Sequence, residues 1–329
     1  MSAVELLRDG TCGRSDEFVR LRGGVYARAN VWARASVDER HRARIDAIAA
    51  TWSSPFFLRE SAAAIRGLPL VESLSTTVHV EGATDVGSRT RSGVAEHRSA
   101  RFPTLAVVDG LAVSDLAQTV FDLARFSSFR RAVVAADHAL RLVDDDGRPL
   151  LRREELLARH ADLPPGSRGR TASAAVIAFV DPASETPLES ISRVAVHVVG
   201  LPDPVLRHPV HDLDGRAGVV DFFFEDVAVV GEAVGDHKYA APAFLNGRTP
   251  QEALLAEKRR EDRIRSCVRG FARWSWRDAY DARPLLVRSA RAGVRRVEGT
   301  PERRGNPLRQ APSTVGGSLA ARVEGQLGW

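Results

Sequence analysis

The tetrapeptide Thr-Pro-x-Glu occurs twice, at Thr186-Pro187-Leu188-Glu189 and at Thr249-Pro250-Gln251-Glu252, and it constrains the fold more than any other feature of the chain. A threonine N-cap accepts from the third amide of the helix, the glutamate bonds back, and proline at the first helical position is already set for the turn. Helices therefore start at residues 187 and 250. Between them, Val219 to Phe224 and Val227 to Val234 are rich in β-branched and aromatic residues and flank a turn at Glu225-Asp226. The second helix ends near Gly270, and Phe271 to Trp276 returns to strand. Helix, hairpin, helix and strand make an α/β core, with Leu188, Ile191, Val194 and Val198 packing the first helix onto the sheet.

Upstream, Glu17 to Ala29 alternates apolar and basic residues around Gly23-Gly24, the pattern of a short basic hairpin such as a DNA-binding wing. Ser36 and Glu39 form a capping box for a helix from Val37 to about Trp52, with Ile45, Ile48 and Ala49 on one face. Ser54-Pro55 opens a second helix, which ends at Gly67 before Pro69. Strands are expected at Ser75 to Val80 and at Leu105 to Val113, the latter around an Asp109-Gly110 turn. Helices follow near Ser114 to Arg125 and Phe129 to Leu142. The run Asp144-Asp145-Asp146-Gly147 lacks the alternating ligands and closing glutamate of a calcium loop and reads as a solvated turn. Leu163 to Ser167 reads as a linker or long loop.

With 329 residues, 44% of them apolar, the chain can bury a sizeable core and divide into two or three domains. Neither a signal peptide nor a membrane span is expected, because charges interrupt the first twenty residues; the expected location is the cytoplasm. Cys12 and Cys267 have no zinc or disulfide spacing. Residues 286–329 hold eight arginines and three glutamates, which accounts for the whole net charge of +5, and read as a disordered basic tail able to lie along phosphates. Arg14 to Arg44 is a second basic stretch, read either as a nucleic-acid surface or as solvated arginine.

Only Lys238 and Lys258 are lysines among 47 basic residues, and they fall close together in an acidic neighbourhood. Lysine and arginine differ at a phosphate or a water nucleophile, since only lysine has a readily moved pKa. A metal-dependent phosphodiesterase needs carboxylates converging at the ends of neighbouring strands, plus a cation near the attacking water. Asp221 and Glu232 meet the first need as magnesium ligands, and Lys238 is the candidate cation. Glu189 stands as either a helix cap or a third ligand. Trp274 and Trp276 are expected on one side of a strand, as core or as base-stacking groups. Glu257, Lys258, Glu261 and Arg265 read as the solvated face of a helix. No P-loop, dinucleotide fingerprint or Ser/His/Asp arrangement is present.

The segments Pro187-Leu188-Glu189-Ser190, Val220-Asp221-Phe222, Gly231-Glu232 with Gly235 and Lys238-Tyr239, Glu257 to Asp262, and Arg273-Trp274-Ser275-Trp276 resemble the C-terminal domain of actinobacterial proteins related to very-short-patch-repair endonucleases. Gly24-Val25-Tyr26, Ser61-Ala62-Ala63 with Gly67-Leu68-Pro69, and Asp137-His138-Ala139-Leu140 are similar to AbiEi-type antitoxins, the transcriptional regulators of type IV toxin–antitoxin systems. Together the two resemblances cover most of residues 20 to 280.

This sequence departs from the nuclease pattern where an aspartate is usual two residues after the glutamate: Val234 stands there. It departs from the regulator pattern in having only about twenty residues before the wing. The resemblance implies a mixed α/β fold with a winged-helix remnant (1–80), a mostly helical middle (81–165), a restriction-endonuclease-like α/β domain (166–285) and the basic tail (286–329). It implies a DNA-binding antitoxin or regulator, contacting DNA through Arg20, Arg22 and Arg28 and facing a cognate toxin, whose nuclease-like domain is a scaffold. The alternative is an active Mg2+-dependent endonuclease using Glu189, Asp221, Glu232 and Lys238.

Overall fold

The computed structural model describes residues 4–8, 16–72, 74–82, 89–97, 104–235 and 249–297. The protein is mixed α/β, and the chain divides into two compact units, Met1–Phe179 and Val180–Trp329.

In the first unit, β1 (Leu6–Leu7), β2 (Phe18–Arg22) and β3 (Val25–Arg28) form an antiparallel sheet in the order β1-β3-β2. The expected basic hairpin is β2–β3, closed at Gly24 with φ +74°, a conformation glycine adopts without a steric cost. Ser36 and Glu39 make the reciprocal cap of α2 (Val37–Ala49), which follows α1 (Ala29–Arg34). Ala27 and Ala43 are fully buried together with Val4, joining hairpin and helix.

A six-stranded sheet comes next, in the order β6-β7-β5-β4-β9-β8. Its strands are β4 (Phe56–Phe57), β5 (Val78–Glu81), β6 (Arg89–Arg91), β7 (Val94–His97), β8 (Leu105–Val108) and β9 (Leu111–Ser114). The helix expected from Ser54 begins later, as α3 (Arg59–Ile65), because Phe56-Phe57 is used by the sheet. Ile45, Ile48, Phe57, Ala62, Ile65, Val78, Val80, Val94 and Val113 form the core between α2, α3 and this sheet. Asp109 and Gly110 both have positive φ, the geometry that matches the twist of a two-residue hairpin.

Helices α4 (Leu116–Phe126), α5 (Phe129–Arg141), α6 (Arg153–Ala161) and α7 (Arg170–Phe179) complete the unit. Asp115 and Ser128 cap α4 and α5. The acidic run is the exposed turn expected of it, with Asp144 Oδ1 accepting from the amides of Asp146 and Arg148.

Three sequence boundaries need correction. The one at 80/81 falls inside β5, and residues 89–114 carry four strands, so 81–165 is not a helical domain. These strands are three or four residues long, and β5 pairs in parallel with β7, a partnership that leaves no local turn signal. The linker at 163–167 is a turn between α6 and α7, inside the first unit.

The second unit has a four-stranded sheet, β10 (Val205–Asp212), β11 (Gly215–Phe224), β12 (Val229–Val234) and β13 (Gly270–Ser275), in sequence order. All neighbours are antiparallel except β12 and β13. Both Thr-Pro-x-Glu boxes open helices, α8 (Pro187–Val198) and α9 (Pro250–Cys267). Two more follow the last strand, α10 (Trp276–Asp281) and α11 (Arg283–Ala292). The tail therefore cannot start at 286: Leu285 and Ser289 are fully buried, Val294 is 1% exposed, and Gly293 at φ +111° ends the helix. Its later part, from 298, lies outside the described residues. Among the described residues, no helix is long and apolar enough to cross a membrane.

Candidate functional site

Strand β12 is the inner strand on which the sequence-based site rests, and its successive residues face opposite ways. Gly231 faces α8. A Cβ there would lie 2.3 Å from Trp274 Cη2 and 3.2 Å from Phe222 Cβ, so glycine is required by the indole that crosses it. Trp274 is 1% exposed, its Nε1 donates to Ser192 Oγ of α8 at 2.8 Å, and its ring lies 5.3 Å from that of Phe222. Of the two roles open to this tryptophan, core packing is the one the fold uses. Trp276 is also buried, but it begins α10, because Ser275 caps that helix.

The opposite face belongs to α9. Val230 packs there with Val220 and Ile264, and Glu232, two residues on, emerges beneath the same helix. Its side chain is 6% exposed, and both oxygens are taken: Arg260 Nη2 donates to Oε1 at 2.6 Å and Arg273 Nη2 to Oε2 at 2.8 Å. Arg260 also binds Glu257 twice at 3.0 Å. Arg273 reaches Glu261 at 3.1 Å, and Arg265 pairs with Glu261 at 2.7 Å. Burial works against the Arg260 charge, yet the Glu257 and Glu232 carboxylates outweigh it and hold the guanidinium above its ordinary value. Glu257, Arg260, Glu261 and Ile264 recur at helical spacing, so one stripe of α9 faces the sheet. The solvated face expected from the sequence is thus half-buried at Glu257 and Glu261, and only Lys258 and Arg265 are exposed.

The resulting cluster is neutral by itself: carboxylates at 232, 257 and 261 face guanidinia at 260, 265 and 273. A divalent ion would have to displace an arginine to reach Glu232.

Asp221 has a different partner. The ladder Phe222↔Gly231, continued one step, would set Asp221 across from Glu232, but Asp221 Oδ2 instead accepts from the Ala233 amide at 2.9 Å. Opposite this point β10 is distorted, with Arg207 at φ +54°. The Asp221 charge acts on Glu189 of α8, whose carboxyl is pushed up to about 7, first by burial and then by Asp221.

The sequence left Glu189 as cap or ligand, and it caps. Oε2 accepts from the Glu185 amide at 2.8 Å and Oε1 from the Thr186 hydroxyl at 2.9 Å. The bond expected from the Thr186 amide thus comes from the residue before it. Among the described residues, no group of three or more His, Cys, Asp or Glu side chains is arranged to hold a metal ion. As arranged, Glu189, Asp221 and Glu232 do not fit magnesium, which needs free carboxylate oxygens converging on one point. Lys238 lies outside the described residues.

A pH dependence follows from Glu189. Its folded value, about 7, lies above the ordinary 4.5, so the folded state holds an extra proton between those limits. The stability that this group contributes is complete below about pH 4.5 and is lost as pH rises through 7. Urea titrations of the protein and of Glu189→Gln should show the variant gaining about 2 kcal/mol relative to the parent between pH 5 and pH 8. A constant difference across that range would refute the assignment.

The hairpin arginines are in the first unit. Arg20 and Arg28 are exposed, and the pairings Phe18↔Arg28 and Arg20↔Tyr26 place those four residues on one face. Arg22 is set apart by the bulge between Arg20 and Arg22, and its guanidinium lies 5.0 Å from the centre of the Trp52 ring.

Sequence reasoning missed Arg260 and Arg273 as the partners of Glu232. Both sit inside the quoted segments, but 28 and 41 residues from the glutamate, and no local spacing links them.

No family model matches the chain, and no solved structure matches it. Two curated proteins of Mycobacterium tuberculosis, the uncharacterized proteins MT2308 and Rv2248, are each 29% identical to it over 150 residues. That region is 46% of this chain and 53% of each relative, so the chain spans about half the length of the curated relatives it matches.

Proposed function

We propose that this is a DNA-binding, regulator-like protein of the AbiEi type, whose C-terminal unit is a nuclease-like scaffold that does not hydrolyse DNA. The observation that carries the reading is the double engagement of Glu232 by Arg260 and Arg273, which puts guanidinium groups where a hydrolase needs a metal ion. Val234, in place of the usual aspartate, supports it. Arg20 and Arg28 contact the DNA backbone from the exposed face of the β2–β3 hairpin, with Phe18 and Tyr26 beside them, and Arg22 acts from its place over Trp52. A cognate toxin is a further partner in this reading.

Mobility shift of the full chain on its own upstream DNA, at several salt concentrations, tests the first half. Binding should weaken as salt rises, and Arg20→Gln with Arg28→Gln should flatten the plot of log affinity against log salt by about 0.9 per contact removed. An unchanged slope would remove the hairpin from the interface. For the second half, supercoiled plasmid with magnesium should stay uncut; cleavage that disappears in Glu232→Gln would overturn the scaffold reading.

A further inference from the structure

In the first unit, two arginines stack on one aromatic ring, and a third sits on the turn that one of them holds. The Arg59 guanidinium lies 4.0 Å and that of Arg125 4.5 Å from the centre of the Phe126 ring. Arg125 donates through Nε and Nη2 to the carbonyl of Arg168, at 3.2 and 2.8 Å. The turn holding Arg168 is pressed onto α4: a Cβ on Gly169, which has φ +79°, would lie 2.4 Å from the Arg125 carbonyl oxygen. Arg168 is thereby fixed in place while its side chain remains exposed.

Charge in this cluster is not balanced. Arg59 is half-buried, and among the described residues its guanidinium has no hydrogen-bond or ion-pair partner, only the Phe126 ring. It also has φ +52°, a left-handed conformation that strains a non-glycine residue and that persists where the surrounding structure holds it, as at functional sites. The near carboxylate, Asp122, is 7% exposed, accepts from Gln118, and is pushed up to about 6 by burial; still largely ionised near neutrality, it balances one of the three positive charges. The neighbouring Glu60 is engaged by His79 at 3.5 Å and Arg131 at 3.7 Å.

A histidine pair adjoins the arginines. His79 Nδ1 and His97 Nε2 are 2.7 Å apart with rings 12° from parallel and centroids 5.0 Å apart, which is the geometry of two nearly coplanar imidazoles joined edge to edge. One of the two nitrogens donates to the other, the direction following the tautomers, and Glu60 Oε2 lies 3.5 Å from His79 Nε2. Burial, then Arg59, His79 and Arg168, all hold His97 neutral.

We propose that Arg59, Arg125 and Arg168, with His97 beside them, form a binding site for a phosphate group. Guanidinium forks match phosphate oxygens, and three such cations, two of them half-buried against Phe126, outnumber the one near carboxylate and favour a multiply charged anion. This site does not rest on the hairpin reading.

Calorimetric titration of the full chain with inorganic phosphate at low salt, and separately with a short DNA duplex, tests it on the parent, Arg59→Gln and Arg168→Gln. Arg168→Gln changes an exposed side chain and leaves the fold intact even where Arg59→Gln does not. Phosphate affinity should fall at least tenfold in Arg168→Gln. A duplex affinity that falls with it assigns the phosphate to a nucleic-acid backbone; an unchanged duplex affinity assigns it to a small molecule. Arg20→Gln with Arg28→Gln should leave inorganic phosphate binding intact, so the two ideas fail separately. No phosphate binding by the parent, or equal binding by Arg168→Gln, would overturn the site.

Discussion

Glutamine in place of Glu232 is expected to cost the protein about 3 kcal/mol of stability, read as a lower urea midpoint at unchanged slope. The substitution keeps the shape and removes the charge, leaving Arg260 and Arg273 partly buried around a neutral amide that cannot accept from both with comparable strength. Their remaining partners, Glu257 and Glu261, limit the loss. The sign is what discriminates. A carboxylate kept for a divalent ion is repelled by its fellow ligands when metal is absent, so its neutralisation would stabilise the metal-free protein. An unfolding series in the presence of a chelator decides between these outcomes, and a rise in midpoint would remove the ion-pair account of this site.

The other large effect is expected at Trp274. Truncation to alanine should cost about 4 kcal/mol, in the range for deleting a buried aromatic side chain. The indole fills the space above Gly231, meets Phe222, and donates to Ser192. Gly231→Ala alone should cost about 2 kcal/mol through overpacking. In the Trp274→Ala background the same change should cost almost nothing, since its new methyl group enters the vacated space. Additive losses in that double-mutant cycle would mean that the ring and the glycine do not compete for the same volume.

These two residues mark what was readable in the sequence. Two of the second unit's helices were legible because their starts are written locally: Thr186 and Thr249 cap, Pro187 and Pro250 follow, and the structure begins α8 and α9 there, whereas α10 and α11 went unread. The β2–β3 and β8–β9 hairpins were legible for the same reason, through Gly24 and Asp109-Gly110. Parallel pairing was not. The partners of β5 and β12 arrive after intervening chain, and neither junction carries a turn signal. Strand β10 was overlooked, Pro209 and its histidines and aspartate masking the strand pattern.

For the candidate site, residue type was legible and partnership was not. Glu189, Asp221 and Glu232 all proved to be engaged carboxylates, but each with its own partners: a helix start, a strand amide, and a pair of guanidinia. Spacing brings two strands together; it does not say what a distant helix lays across them. The His79–His97 pair was invisible for the same reason, since its members come from parallel strands 18 residues apart.

The parallel seam between β12 and β13 also divides the contacts of this sheet into local and distant ones. Strands β10, β11 and β12 are joined by short turns and can meet early, whereas Arg260 and Arg273 arrive only with α9 and β13. Until then Glu232 is a charge with no counterion, and water must remain around it. The contacts that dry this carboxylate span 28 and 41 residues, so loop closure must be met before they can form.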